Sequence, residues 1–104
     1  ETLAPGIELH RIGGHTMGLQ SLRVWTRKGW IVLASDAAHL YANIERALPF
    51  PIVYNVAEML EGHRTLLRLA DGEVTRVIPG HDPIVMERFP AARVGLDDMV
   101  VRLD

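Results

Sequence analysis

The sequence of 104 residues contains no cysteine, which excludes disulfides and thiolate metal ligands. Lys28 is its only lysine, and the net charge of -2, without a basic stripe, excludes nucleic acid as an expected partner. No apolar run approaches the roughly 20 residues that a membrane span needs. We therefore expect no membrane partner. No signal-peptide pattern opens the chain, but this says nothing about secretion if the chain is part of a longer protein; the location stays open, with the cytoplasm favoured.

What is present is the composition of one ordinary domain, with 48% hydrophobic and 23% charged residues. Alternating or continuous apolar runs predict strands over 7–12, 21–26, 30–35 and 73–78, with 30–35 covered on both faces. Helical spacing predicts helices over 39–48 and from Asn55 to Ala70, with a short helical turn over 84–89. A last apolar segment covers 99–103. The order of elements predicts an α/β (α+β) fold in which sheet and helices pack in layers.

Three metal-competent residues lie where predicted strands give way to loops: His15 in "GGHTMG", Asp36 in "ASDAAH" and His81 in "PGHDP". Two imidazoles and a carboxylate are a usual ligand set for zinc, manganese or iron. Each residue alone also fits an ordinary structural role. Either histidine suits a hydrogen-bonded turn, and Asp36 suits a helix cap, as does Asp82.

The stretches "GGHTMGLQSLRV", "GWIVLASDAAHLYANIE" and "IPGHDP" together resemble the metallo-β-lactamase superfamily, and most of all its N-acyl homoserine lactonases. The resemblance implies the C-terminal half of an αββα sandwich, with residues 1–104 as a single partial domain. It also implies two divalent metal ions, with zinc expected, held in part by His15, Asp36 and His81. The implied reaction is the opening of a small-molecule ester or lactone, such as an N-acyl homoserine lactone, by metal-activated hydroxide.

The chain departs from this family in two places. The family's tyrosine three residues after the bridging aspartate is replaced by His39, and Tyr41 follows two residues later. The candidate catalytic residues are therefore Asp36, His39 and Tyr41, with His39 donating to an oxyanion or accepting a proton from the leaving alcohol.

The second departure is the absence of the family's HxHxDH motif, which neither His10 nor His63 supplies. We interpret His10 as a strand residue and His63 as a hydrogen-bonded core residue. The chain is then a C-terminal portion whose partner is the N-terminal half of the fold. Since each ion would find about two protein ligands here, we expect weak metal affinity and no activity from the isolated chain.

Other interpretations remain open. A hydrolase of thioesters or β-lactams would share these ligands, and a mononuclear iron site could use the same residue types. A non-catalytic fragment would expose half a sandwich as an interaction surface, and we expect homo-oligomers in that case. Residues 48–55, "LPFPIVYN", either face the substrate or simply connect two helices.

Overall fold

The computed structural model describes all residues, 1–104. Its single sheet contains the strands β1 (Thr2–Ala4), β2 (Ile7–Arg11), β3 (Gln20–Thr26), β4 (Gly29–Ser35) and β5 (Val77–Pro79). Its helices are α1 (Tyr41–Glu45), α2 (Val56–Leu69) and α3 (Ile84–Arg88), and a 3-10 turn spans Val74–Arg76. None of the helices has both the length and the apolar character needed to cross a bilayer.

The strands lie side by side in chain order, and every neighbouring pair is antiparallel except β4 and β5, which are parallel. The connection from β4 to β5 contains α1 and α2, as a parallel crossover requires. Strands β2, β4 and β5 consequently run in the same direction. Their carboxyl ends meet at one edge of the sheet, and the loops that follow them can share a cleft.

The core lies between one face of the sheet and α2. Val32, Ala34 and Val77 of the sheet are fully buried in one cluster with Leu66 and Ala70 from the α2 side. The strand register places a second group of apolar side chains on the opposite face of the sheet: Ile7, Leu9, Leu22, Val24, Ile31, Leu33 and Ile78. Only Ile31 and Ile78 of this group are buried. The sheet therefore has one face packed on a helix and one face that is only partly covered.

The prediction for α2 is confirmed, including its N-cap, because the Asn55 side chain accepts the Glu58 N–H at 2.9 Å. The strand predicted over 30–35 is confirmed as β4. Its coverage on both faces is confirmed at Ile31 and Val32, which are 5% and 0% exposed, while Leu33 is half-buried.

Two predicted elements have other bounds, one predicted segment is reduced to a bridge, and one strand was not predicted. The helix predicted over 39–48 is only α1, because the Asn43 side chain accepts the Leu40 N–H and donates to the Leu48 carbonyl, which folds the chain back. The strand predicted over 73–78 begins with the 3-10 turn, and β5 extends through Pro79. Residues 99–103 form only the bridge of Ala91 with Val101. Strand β1, paired with β2, was not predicted.

Candidate metal centre

The carboxyl ends of β2, β4 and β5 bring His15, Asp36 and His81 together at one edge of the sheet. Asp36 lies between the two histidines and turns a different oxygen to each. His81 Nε2 is 2.7 Å from Asp36 Oδ1, and His15 Nε2 is 3.8 Å from Asp36 Oδ2. This is the arrangement that a carboxylate shared by two ions requires.

The His15 loop is fixed by Gly14, which packs against the first turns of α2. Gly14 has a φ of +84°, and a side chain there would lie 2.6 Å from the Met59 Cα. The Gly14 carbonyl accepts the N–H groups of Tyr54 and Asn55 at 2.9 and 3.0 Å. A residue without a side chain is therefore needed for the loop to approach the helix this closely.

His15 itself is oriented by a backbone group. Its Nδ1 lies 2.7 Å from the Ile52 carbonyl oxygen, which can only accept a hydrogen bond, so Nδ1 carries the proton. The lone pair is then on Nε2, the nitrogen that faces Asp36. A backbone carbonyl in this position is a usual support for a metal-binding histidine.

Asp36 leaves the sheet through a tight turn at the end of β4. Ser35 has a φ of +51°, and the Ala37 N–H donates to the Ala34 carbonyl at 3.1 Å. Ala37 and Ala38 are buried, while Asp36 is half-buried. The turn therefore anchors the backbone on both sides of Asp36 and leaves its carboxylate at the surface of the cleft.

The His81 loop is hydrogen-bonded directly to the Asp36 loop. The Gly80 N–H donates to the Ala38 carbonyl at 2.9 Å, and the His81 N–H donates to the His39 carbonyl at 3.0 Å. A side chain at Gly80 would lie 2.8 Å from the Ser35 carbonyl oxygen. The two loops consequently behave as one backbone unit that sets the separation of Asp36 and His81.

Asp82 strengthens the same connection. Its carboxylate is buried at 8% exposure and accepts two backbone N–H groups, from Tyr41 at 2.9 Å and Ile84 at 3.0 Å. Asp82 is not the N-cap of α3 as the sequence suggested, because that position is Pro83; it accepts the N–H of Ile84, the first helical residue, from one position earlier. The bond to Tyr41, which the sequence did not indicate, joins the start of α1 to the His81 loop.

Replacing Asp82 with alanine should reduce the free energy of unfolding by about 2 kcal/mol, because two N–H groups lose their acceptor at a largely buried site. Asparagine at this position keeps one carbonyl acceptor, so we expect an intermediate loss. Urea unfolding measures both values, with Glu87→Ala on exposed α3 as the control. Equal stability of Asp82→Ala and the parent chain would contradict this role.

His39 is the fourth side chain of the group. Its Nε2 lies 3.6 Å from Asp36 Oδ1, its ring meets the His81 ring edge-on at 4.7 Å, and it stacks on Phe50 at 3.7 Å. Burial lowers the pKa of His39 below its ordinary 6.5, and the neighbouring His81 lowers it further. The imidazole is therefore held in its neutral form, which is the form that binds metals.

The sequence left residues 48–55 as either a substrate-facing segment or a connector, and it did not indicate that they support the histidines of the site. Phe50 is buried, its ring stacks on His39, and it lies 5.9 Å from the His15 ring, while Ile52 holds the His15 Nδ1. An apolar residue between two prolines was the available signal. The segment is thus a support for two of the four polar side chains and more than a connector.

The same segment forms one wall of an open cleft of about 510 Å³ beside His15. Met17, Ile52 and Tyr54 are 60%, 65% and 63% exposed there. The complete lining is His15, Thr16, Met17, Ile52, Val53 and Tyr54. The cleft is mainly apolar and adjoins a polar group, which is a common composition for a small-molecule site.

Tyr41, His63 and His10 are not part of the polar group. The Tyr41 side chain is 2% exposed, its ring lies beneath Arg88, and its hydroxyl has no hydrogen-bond partner. His10 is a strand residue bonded to Glu8 at 2.9 Å, as predicted. His63 is buried in α2 as predicted; its one hydrogen-bonding neighbour is the Ala37 backbone, and no protein atom has full hydrogen-bond geometry with either ring nitrogen.

The buried His63 should make the fold sensitive to acid. Burial lowers its pKa below 6.5, so the folded chain keeps it neutral while the unfolded chain protonates it near pH 6.5. Stability is therefore complete above that pH and falls as the pH drops below it, by up to about 1.4 kcal/mol per pH unit.

His63→Leu should reduce this loss and raise stability at neutral pH by about 1 kcal/mol, because it removes two unpaired nitrogens. Part of the acid sensitivity stays with His39, whose pKa is also lowered. Urea unfolding at about pH 7.5 and about pH 5.5 provides the measurement, with His10→Gln as the control. An unchanged pH dependence in His63→Leu would show that His63 is not its source.

The residues fit a divalent metal ion. One ligand atom each from Asp36, His39 and His81 lies within 4.8 Å of the others, and the His15 Nε2 reaches the second Asp36 oxygen. The donor set of neutral imidazoles and one carboxylate suits zinc, manganese or iron. The His15 Nδ1 bond to a backbone carbonyl supplies the outer support that such ligands usually have.

No family model matches the chain, and no curated protein matches it in sequence. Among solved structures, it is similar to an N-acyl homoserine lactone hydrolase with N-hexanoyl-L-homoserine bound at the catalytic metal center. The TM-score is 0.71 at 29% identity, over 85% of this chain and 35% of that one. A quorum-quenching N-acyl homoserine lactone lactonase matches 79% of this chain and 34% of its own, with a TM-score of 0.70 and 29% identity.

A B. thuringiensis AiiA variant with N-decanoyl-L-homoserine bound at its active site gives a TM-score of 0.72 at 29% identity. That match covers 85% of this chain and 35% of the other. The chain therefore spans about a third of the length of these enzymes. Its mixed α+β architecture, with a five-stranded sheet and three helices, matches part of the metallo-β-lactamase fold of these lactonases.

Proposed function

We propose that the protein to which this chain belongs is a metal-dependent hydrolase that opens a lactone, such as an N-acyl homoserine lactone. The observation that carries the proposal is the position of Asp36, with one oxygen towards His81 and the other towards His15. The structural similarity to lactonases supports the substrate class.

Two divalent ions, with zinc expected, would polarise the carbonyl and lower the pKa of a bound water towards neutrality. The chain's own residues provide the frame for this chemistry. The Ile52 carbonyl keeps the proton of His15 on Nδ1, and the paired Gly80 and His81 N–H groups hold the two loops at a fixed separation. Asp36 would then set the distance between the two ions.

His39 belongs to the same polar group, because its Nε2 faces Asp36 Oδ1 and its ring is stacked on Phe50. Tyr41 is the first residue of α1 and its hydroxyl is buried, so we assign it a packing role. That differs from the substrate contact that the sequence suggested for Tyr41.

The remaining metal ligands would come from an N-terminal half of the fold. The chain spans about a third of the similar enzymes, and the sheet face opposite α2 carries seven aliphatic side chains of which five are not buried. We propose that the N-terminal half covers this face. The chain alone would then lack lactonase activity and would self-associate through the same surface, which size measurement would show.

The apolar cleft beside His15 is a suitable place for an acyl chain. Its exposed Met17, Ile52 and Tyr54 are joined to the polar group through the Ile52 carbonyl. A substrate with a lactone at the polar group could therefore extend an alkyl tail over this surface. The molecules bound in two of the similar enzymes, N-hexanoyl- and N-decanoyl-L-homoserine, carry such chains.

The test is turnover by the whole protein of homoserine lactones of increasing acyl length, beside a thioester and a β-lactam. We expect kcat/KM to be highest for a lactone and to rise with acyl length. Met17→Ser should weaken the length preference, whereas Met99→Ser, at a methionine in the C-terminal segment that is 74% exposed, should not. Preferred turnover of the thioester or the β-lactam would assign the fold's other hydrolase chemistry instead.

A further inference from the structure

The sequence-based count gave each ion two protein ligands, and it left out His39. In the structure, His39 Nε2 and His81 Nε2 both face Asp36 Oδ1, at 3.6 and 2.7 Å. His15 Nε2 lies instead beside the second oxygen, Oδ2. Three ligand atoms thus converge on one side of the carboxylate, within 4.8 Å of one another.

We propose that His39 is a direct metal ligand, and that Asp36, His39 and His81 hold one divalent ion within this chain. The inference rests on the proposed function only in assuming that the polar group takes a divalent metal. It makes no use of lactone hydrolysis. In this proposal His39 binds the metal ion directly, instead of contacting the substrate as the sequence suggested.

The distances suit one ion. Four-coordinate zinc has bonds of about 2.0–2.1 Å, which places its ligand atoms roughly 3.3–3.5 Å apart. The separation of Asp36 Oδ1 from His39 Nε2 is 3.6 Å, and that from His81 Nε2 is 2.7 Å. An ion between them requires the 2.7 Å hydrogen bond to open by less than an ångström and the widest separation in the group, which reaches 4.8 Å, to close by about an ångström. Side-chain rotation provides both changes.

The backbone already joins the three residues. Asp36 and His39 lie on one tight loop, and the His81 N–H donates to the His39 carbonyl at 3.0 Å. The His39 ring is further held by its stack on Phe50, with an angle of 16° between the ring planes. Little conformational freedom would be lost on binding, and a preorganised set of ligands binds more tightly.

An ion with these three protein ligands keeps one open position, as catalytic zinc sites do. The isolated chain should therefore bind one zinc ion tightly, contrary to the weak affinity expected from His15, Asp36 and His81 alone. His39 at this position would supply a ligand for which tyrosine is a poor substitute, since neutral imidazole is among the commonest zinc ligands.

The direct test is nuclear magnetic resonance of the 104-residue chain with ¹⁵N-labelled histidine and ¹¹³Cd²⁺ as the probe. One-bond coupling between the metal and the ring nitrogens should appear at His39 and His81. Coupling at His81 without coupling at His39 would overturn the proposal. Coupling at His15 and His81 alone would restore the ligand set implied by the sequence.

Zinc titration of matched variants tests the same point by affinity. His39→Gln and His81→Gln should each weaken binding by about 100-fold or more, since losing even a supporting partner commonly costs 10–100-fold. His15→Gln should have a much smaller effect, and His10→Gln should have none, because the His10 ring is bonded to Glu8 and is not one of the three proposed ligands. Unchanged affinity in His39→Gln would contradict the proposal.

Phe50→Leu separates ligation from packing, because it removes the stack on His39 but keeps every ligand atom. We expect it to weaken zinc binding far less than His39→Gln does. Equal weakening in the two variants would show that His39 acts only by filling space. Thermal melts of all variants verify that each is folded, and none of these measurements uses a lactone, so failure of the proposed hydrolase function would leave them interpretable.

Discussion

Replacing Asp36 with asparagine should remove divalent metal from the protein and abolish hydrolysis of the lactone. The change deletes the negative charge between three imidazoles and replaces one ligand oxygen with an amide nitrogen. We expect zinc affinity to fall by more than about 100-fold, beyond the range observed for loss of a supporting residue.

Elemental analysis and zinc titration measure this loss, and turnover of an acyl homoserine lactone by the whole protein measures its consequence. Asp98→Asn is the matched control, because it makes the same chemical change at an exposed position whose φ of +58° asparagine tolerates. The fold should survive in both variants, since the Asp36 side chain is 37% exposed. Retention of metal and activity in Asp36→Asn would remove the assignment of this residue as the shared ligand.

The Gly14→Ala substitution should be the most destabilising small change in the chain. A methyl group there would lie 2.6 Å from the Met59 Cα and 2.7 Å from its nitrogen, both in the backbone of α2. The left-handed φ of +84° adds roughly 1–2 kcal/mol of strain for any residue with a side chain, and overpacking adds about 1–3 kcal/mol. A total near 3 kcal/mol would lower the Tm by about 15 °C.

Two other glycines separate the causes of this loss. Gly72 also has a positive φ, +83°, but a methyl group there meets nothing within 4 Å, so Gly72→Ala should show the strain alone. Gly18 lies in the same loop as Gly14, has open space and lacks a positive φ, so Gly18→Ala should be nearly neutral. Thermal melts rank the three variants. A Tm for Gly14→Ala equal to that of Gly72→Ala would show that the contact with α2 is unimportant.

The Gly14 variant also bears on the metal centre. Displacement of this loop from α2 would break the bonds from Tyr54 and Asn55 to the Gly14 carbonyl and move His15 away from Asp36. Zinc binding by Asp36, His39 and His81 should be affected less, because those residues lie on the loops that follow β4 and β5 and not on the Gly14 loop. Comparing the metal content of the Gly14 and Asp36 variants therefore distinguishes binding beside Oδ2, where His15 lies, from binding beside Oδ1, where His39 and His81 lie.

Local patterns in the sequence determined most of the elements and three of the metal-competent residues. The continuous apolar run of β4 and the capped periodicity of α2 each depend on neighbours in the chain, which is why they could be predicted. The predictions failed where a distant contact decides the structure. The Asn43 side chain shortens α1 by bonding to Leu48, and β5 forms only where β4 offers it a partner.

The sequence by itself determined that His15, Asp36 and His81 follow strands, because strand patterns and glycine turns are local. Only the tertiary structure decided which Asp36 oxygen each histidine faces, since the parallel pairing of β4 with β5 brings the two loops together. The positions of His39 on Phe50 and of His15 on the Ile52 carbonyl were also beyond the sequence. Those contacts join residues that are 11 and 37 positions apart in the chain, and contacts between residues so far apart cannot be predicted from the periodicity of one sequence.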